Sequence, residues 1–144
     1  MTFPDPQPGL VISYGYLWHR EYRRGREEGR KDRLCVIVLK TFTGESGETM
    51  IRVAPITHTE PEDEILAIEI PPTVKRHLHL DSERSWIILD EFNEFAWPGF
   101  DLRPLRGKPV RYAYGFVPPV LFDQLLRKLA VLRKSGLLKR VPRD

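Results

Sequence analysis

The chain has 144 residues, 41% of them hydrophobic and 30% charged, with a formal net charge of +3 and a pI near 9.1. That length suits one domain over 1–144 that closes a core without staples, and no apolar run approaches the roughly 18 residues needed to cross a bilayer. A single cysteine excludes an intramolecular disulfide, and with four scattered histidines it makes no zinc spacing, so no metal and no cofactor is expected.

The start of the chain, 1–8, reads as a proline-rich extended leader without the basic start and apolar core of a signal peptide, which predicts a cytoplasmic protein with no membrane partner. Residues 10–18 (LVISYGYLW) read as a first strand, with Gly15 as a bulge or a close approach. From 19 to 32 the composition turns to Arg, Glu and Gly, a polar connection longer than a hairpin needs. Residues 34–40 form a second strand, nearly unbroken in Val, Ile and Leu, which suits burial on both faces or packing into a small barrel. A Gly- and Ser-containing turn leads to a third strand over 50–56 (MIRVAPI), where Pro55 suggests a strand end or edge.

An acidic loop at 60–64 precedes a fourth strand at 65–70, and Pro71 and Pro72 introduce a helical turn through 74–78. His77 and His79 beside that turn read as structural. Residues 85–89 (SWIIL) form another strand, delivering Asp90 to an exposed end, and Phe92, Phe95 and Trp97 read as core aromatics. Residues 100–109 read as irregular. After Pro118 and Pro119, Leu121, Phe122, Leu125, Leu126, Leu129 and Leu132 fall at steps of three and four, an amphipathic helix stopped by Gly136. Residues 137–144 read as a basic tail, and Cys35 as a small buried hydrophobe. The fold class expected is mainly β with minor α, a small bent sheet or barrel carrying a short helix and a C-terminal amphipathic helix.

Two places carry candidate chemistry. Arg33 stands at the mouth of the second strand, where a planar guanidinium that stays charged at any working pH is well placed to grip a phosphate. Thr57, His58 and Thr59 follow the third strand as a polar rim. Cations cluster between 19 and 33, where Arg24, Arg26, Arg30 and Lys31 form a candidate RNA-binding surface.

The order of KDRLCVIV, then VAPIT, then a strand ending in Asp90, then a leucine-rich helix resembles the PemK, Kid and MazF family of bacterial growth-inhibitor toxins. Arg33 before the apolar run and Thr57 after Val53-Ala54-Pro55-Ile56 fall on the family's catalytic positions, and Asp90 falls where Kid-like members carry a functional aspartate. Leu34 stands where the family has proline, and Ile88 where Kid-like members have arginine. The resemblance implies an SH3-like barrel of the CcdB/MazF type, a homodimer restrained by a cognate antitoxin, and a metal-independent endoribonuclease acting on single-stranded RNA. An antitoxin is expected to dock in the dimer groove near the loop from Glu21 to Lys31, a disordered acidic segment neutralising the arginines and folding on binding.

Cutting RNA without a metal requires the ribose 2′-hydroxyl to lose its proton and attack the adjacent phosphorus while charge builds on the phosphoryl oxygens. Arg33 would bind those oxygens and Thr57 orient the phosphate. The acid or base is left open among His19, Glu27, Glu28, His58 and Asp90. Two other readings stand beside this one: a non-catalytic toxin of the same fold, resembling CcdB, that binds a protein such as gyrase, and an RNA-binding member without the chemistry.

Overall fold

The computed structural model describes residues 3–25, 32–43, 47–107 and 109–143. Among them the elements run β1 (Leu10–Tyr14), α1 (His19–Arg23), β2 (Arg33–Phe42), β3 (Thr49–Thr57), a 3-10 turn (Glu64–Leu66), β4 (Ala67–Glu69), α2 (Pro72–His77), β5 (Trp86–Ile88), β6 (Glu91–Ala96), β7 (Leu102–Arg103), β8 (Ala113–Phe116), α3 (Pro119–Lys134) and β9 (Lys139–Pro142). No helix among the described residues is long and apolar enough to cross a membrane.

β2 organises the rest because its side chains are apolar on both faces, as its sequence implies. Val36 and Val38 enter one core with Ala54, Ile87, Leu121 and Leu125, whereas Cys35 and Ile37 enter a second with Ile12, Tyr14, Val53 and Phe95. The strand order is β4-β5-β3-β2-β1-β7, with β8 also on β1 and β6 also on β3. All pairings are antiparallel except β6 with β9. The fold is therefore mainly β, as expected. The sheet is not closed among the described residues, since β4 and β7 end the order and no described pairing joins them, which differs from the closed barrel the resemblance implies.

Several elements differ from expectation for physical reasons. β1 stops at Tyr14, four residues early. A Cβ on Gly15 would stand 3.2 Å from Arg103 Nη2 and 3.3 Å from Asp101 Oδ1, so the chain passes tightly there and turns across the second core. The polar connection begins with α1 rather than with loop, because Glu21, in its first turn, accepts a hydrogen bond from the Trp18 amide at 3.3 Å. Pro55 lies inside β3 rather than at its end. β6 pairs with Met50 to Val53 and β5 with Ile56 and Thr57, so the missing amide falls in the gap between two partner strands.

The stretch expected as a fourth strand gives its first residues to the 3-10 turn, capped by Asp63 through the Ile65 amide at 3.0 Å. The segment read as a basic tail is β9, and its cations are used by the fold. Arg140 pairs with Glu94 at 3.3 Å, Lys139 faces Asp90 at 3.6 Å, and Arg143 is held by Asp101. Phe92 and Phe95 are buried as expected, with Phe95 stacked on Tyr14 at 4.5 Å between centroids. Cys35 is fully buried, and burial pushes its thiol far above the ordinary range.

Candidate functional site

Arg33 begins β2, paired with Tyr14 of β1, and is half-buried. Its guanidinium lies 5.0 Å from the Trp18 ring centroid, and that of Arg20 lies 5.2 Å from the same ring. Such contacts fix a cation's direction more than they add stability, at about 0.5–1 kcal/mol each near a surface. Burial lowers the Arg33 pKa, with Arg20 acting the same way and Cys35 and Glu21 opposing, but an arginine remains charged throughout.

Thr57 lies at the same end of the sheet. β2 and β3 pair as far as Cys35 with Pro55, two residues short of Arg33 on β2 and of Thr57 on β3. Among the described residues no hydrogen bond joins the two, and the Thr57 hydroxyl instead accepts from the Thr59 amide at 3.1 Å. His58 is turned outward, its Nε2 hydrogen-bonded to Asp81 Oδ2 at 2.9 Å and its Nδ1 3.4 Å from Glu83. Asp90 faces Lys139. Arg24 caps the C-terminal end of α1 and is exposed. Glu27, Glu28, Arg26, Arg30 and Lys31 lie outside the described residues.

Beside Asp90 the structure places a carboxylate that the sequence did not single out. Glu91 Oε1 accepts from the Tyr16 hydroxyl at 3.0 Å and the His19 amide at 2.9 Å. Burial raises its pKa and the neighbouring Asp90 adds to that, although the two hydrogen bonds oppose it. Glu91 therefore ties the crossing segment and the start of α1 to β6.

Arg33 also borders a cleft of about 590 Å³. Its apolar lining comes from Leu34, Leu78 and Tyr114, all three packed against the first core. The cations on it are Arg33, Arg106 and Arg111, none with an ion-pair partner within 4 Å among the described residues. Asp32, also on the cleft, is offset by Arg103 at 3.1 Å. Arg106 and Arg111 stand near each other because the Leu105 amide bonds the Arg111 carbonyl at 2.7 Å, closing their loop. Tyr114 reaches the cleft through a β-bulge. Val11 pairs with Gly115 and Ile12 with Ala113, which leaves Tyr114 as the extra residue.

A separate polar network holds α2. Lys75 is 5% exposed, and its Nζ donates to Asp81 Oδ1 at 2.5 Å, the Glu83 carbonyl at 2.6 Å and Ser85 Oγ at 2.6 Å. Three acceptors satisfy an ammonium fully, so the network reads as a structural latch. His58, Asp81 and Glu83 each offer a donor atom within 4.8 Å of the others. A cation bound there would meet the fixed charge of Lys75 on the same Asp81 carboxylate, which opposes metal binding.

Compared with family models, curated proteins and solved structures, the chain matches none.

Proposed function

We propose that the chain binds and cuts single-stranded RNA without a metal, as the resemblance to the PemK, Kid and MazF toxins implies, with Arg33 holding the scissile phosphate. The observation that carries this reading is the position of Arg33, half-buried at a strand start and bordering a cleft that also collects Arg106, Arg111 and His79. Cations at the edge of a concave site, with no ion-pair partner within 4 Å among the described residues, suit a phosphodiester, whose charge rises as the reaction proceeds. In the step itself a base takes the 2′-hydroxyl proton, the 2′-oxygen bonds to phosphorus, and the bond to the 5′-oxygen breaks as that oxygen is protonated. The products are a 2′,3′-cyclic phosphate and a 5′-hydroxyl. A role as a growth-inhibiting toxin, a homodimer and a cognate antitoxin belong to the same proposal, on a bent and opened version of the SH3-like barrel.

A second reading, RNA binding without cleavage, is favoured by one observation. Thr57, His58 and Asp90 are each engaged by partners other than Arg33. Incubating purified protein with a long unstructured RNA in EDTA separates the two. The nuclease reading expects specific cuts with cyclic phosphate ends, reduced at least about a hundredfold in a folded Arg33→Ala variant. Retained RNA binding with no cutting by wild type would replace it with the second.

A further inference from the structure

We infer that the cleft between β1, β8, the end of α2 and the loop carrying Arg106 and Arg111 is a subsite for one nucleotide, its base lying on Tyr114 and its phosphate on the two arginines and His79. Only the choice of RNA as the natural source of that nucleotide rests on the function proposed above; the ligand chemistry comes from the cleft.

Three independent features converge there. The first is the division of its surface. A volume of about 590 Å³ falls within the roughly 300–1,000 Å³ typical of small-ligand clefts, and an aromatic and aliphatic floor with a cationic rim is the complement of a base joined to a phosphate. The second is the bulge at Tyr114. An uninterrupted ladder would place successive residues on alternate faces, and the extra residue re-aims the ring toward the cleft while leaving it packed on the core. Gly115 allows this, because a Cβ there, at φ +131°, would meet Leu78 Cδ2 at 3.3 Å.

The third is His79. α2 ends with the Leu80 amide bonding the Lys75 carbonyl at 2.9 Å and the His79 amide bonding the Arg76 carbonyl at 3.1 Å. That pattern places the residue after the cap in the left-handed region, and His79 has φ 56°. Glycine is the usual occupant, since any Cβ is strained in this conformation. His79 is the one non-glycine residue at positive φ among the described residues, and it lines the cleft with Arg106, Arg111 and Tyr114. An imidazole at a helix end where the backbone favours glycine, and on the lining of the cleft, is what brings His79 into the subsite.

The test uses the whole chain and two probes, adenosine 3′-monophosphate and uridine 3′-monophosphate, followed by calorimetry, with inorganic phosphate and adenosine as controls. Both nucleotides are expected to bind more tightly than either control. Arg106→Ala with Arg111→Ala is expected to weaken them at least tenfold, and Tyr114→Leu to erase the preference for nucleotide over phosphate. His79→Gly is expected to weaken them several-fold while the melting temperature stays level or rises, a pairing that a merely structural histidine would not give. Nucleotide binding that is absent, or that is unchanged in the double variant, overturns the subsite. Cleavage of unstructured RNA, measured in parallel, separates this from the function above. Nucleotide binding that is unchanged in the double variant and in His79→Gly, with wild type still cutting, sinks the subsite and spares the nuclease. Nucleotide binding lost in those variants, with no cutting by wild type, does the reverse.

Discussion

α2 and α3 end in the same way and are held in opposite ways. At the end of α3 the Leu137 amide bonds the Leu132 carbonyl at 3.0 Å and the Gly136 amide bonds the Arg133 carbonyl at 3.2 Å, the pattern seen after α2 with Leu80 and His79. The left-handed residue is Gly136 at φ 72° in one and His79 at φ 56° in the other. α3 is anchored by the buried leucines 121, 125 and 132, an apolar stripe that needs no partner of defined chemistry. α2 has six residues, too few for a stable isolated helix, and rests on Val74, Leu78 and the buried ammonium of Lys75. One helix is arranged for stability throughout. The other carries strain at its end where it meets a cleft.

The anchors give the largest contrast. Leu125 is fully buried in the first core, so Leu125→Ala is expected to lower stability by about 3 kcal/mol, a drop of roughly 6–12 °C in melting temperature. Because the loss is apolar, it should be nearly independent of pH and salt. Lys75→Met keeps the volume but removes three hydrogen bonds, leaving Ser85 Oγ, which is buried, without its donor. About 2 kcal/mol is expected, read as a shifted urea midpoint at constant slope. A loss as small as that of a surface lysine would mean that the latch does not hold α2.

Acid should separate the two anchors further. Burial raises the Asp81 carboxyl, but the hydrogen bond and charge of Lys75, with His58 and the Glu83 amide, outweigh it and hold the pKa below the ordinary value. A carboxyl depressed in the folded state contributes stability above its unfolded pKa, near about 3.9, and that contribution disappears as pH falls through the folded value. Wild type is therefore expected to lose stability below about pH 4 that Asp81→Asn never had, and the two should converge in urea titrations run down the pH scale. The deficit of Leu125→Ala should stay constant over the same range. A wild-type advantage over Asp81→Asn that persisted to pH 2 would remove the carboxylate from the latch.

How far each region could be read in the sequence follows from what determines it. β2, β3 and α3 are long, and their apolar spacing is their own, so they stand out. β9 (KRVP) has one apolar anchor, Val141, and is a strand because it lies parallel to β6, a pairing no local pattern encodes. β8 is four residues with a bulge opposite β1, which breaks the alternation that would have revealed it. Arg33 was legible as a cation at a strand mouth. His79 read as structural because the sequence shows a histidine after a helical turn but not its φ, and Arg106, Arg111 and Tyr114 are brought to it by a loop closure and a bulge. The signal that could have been used is the missing glycine, since α3 has Gly136 at the corresponding place.

Exchanging the two end residues gives the smallest effects and the most direct comparison. A Cβ in the left-handed region costs about 1–2 kcal/mol, whereas glycine loses about 0.4–1 kcal/mol more backbone entropy on folding. The difference, about 0.5–1 kcal/mol, should appear with opposite sign at the two ends. Gly136→Ala is expected to destabilise by that amount, and a Cβ there meets no atom within 4 Å, so the loss reflects backbone strain alone. His79→Gly is expected to stabilise by the same amount, because the imidazole is exposed and makes no hydrogen bond among the described residues. Urea denaturation of both variants measures the pair. If His79→Gly were instead destabilised, the imidazole would be supporting α2 and its place on the cleft would need no functional account. If it gains stability and loses nucleotide affinity, the strain at this helix end serves the cleft.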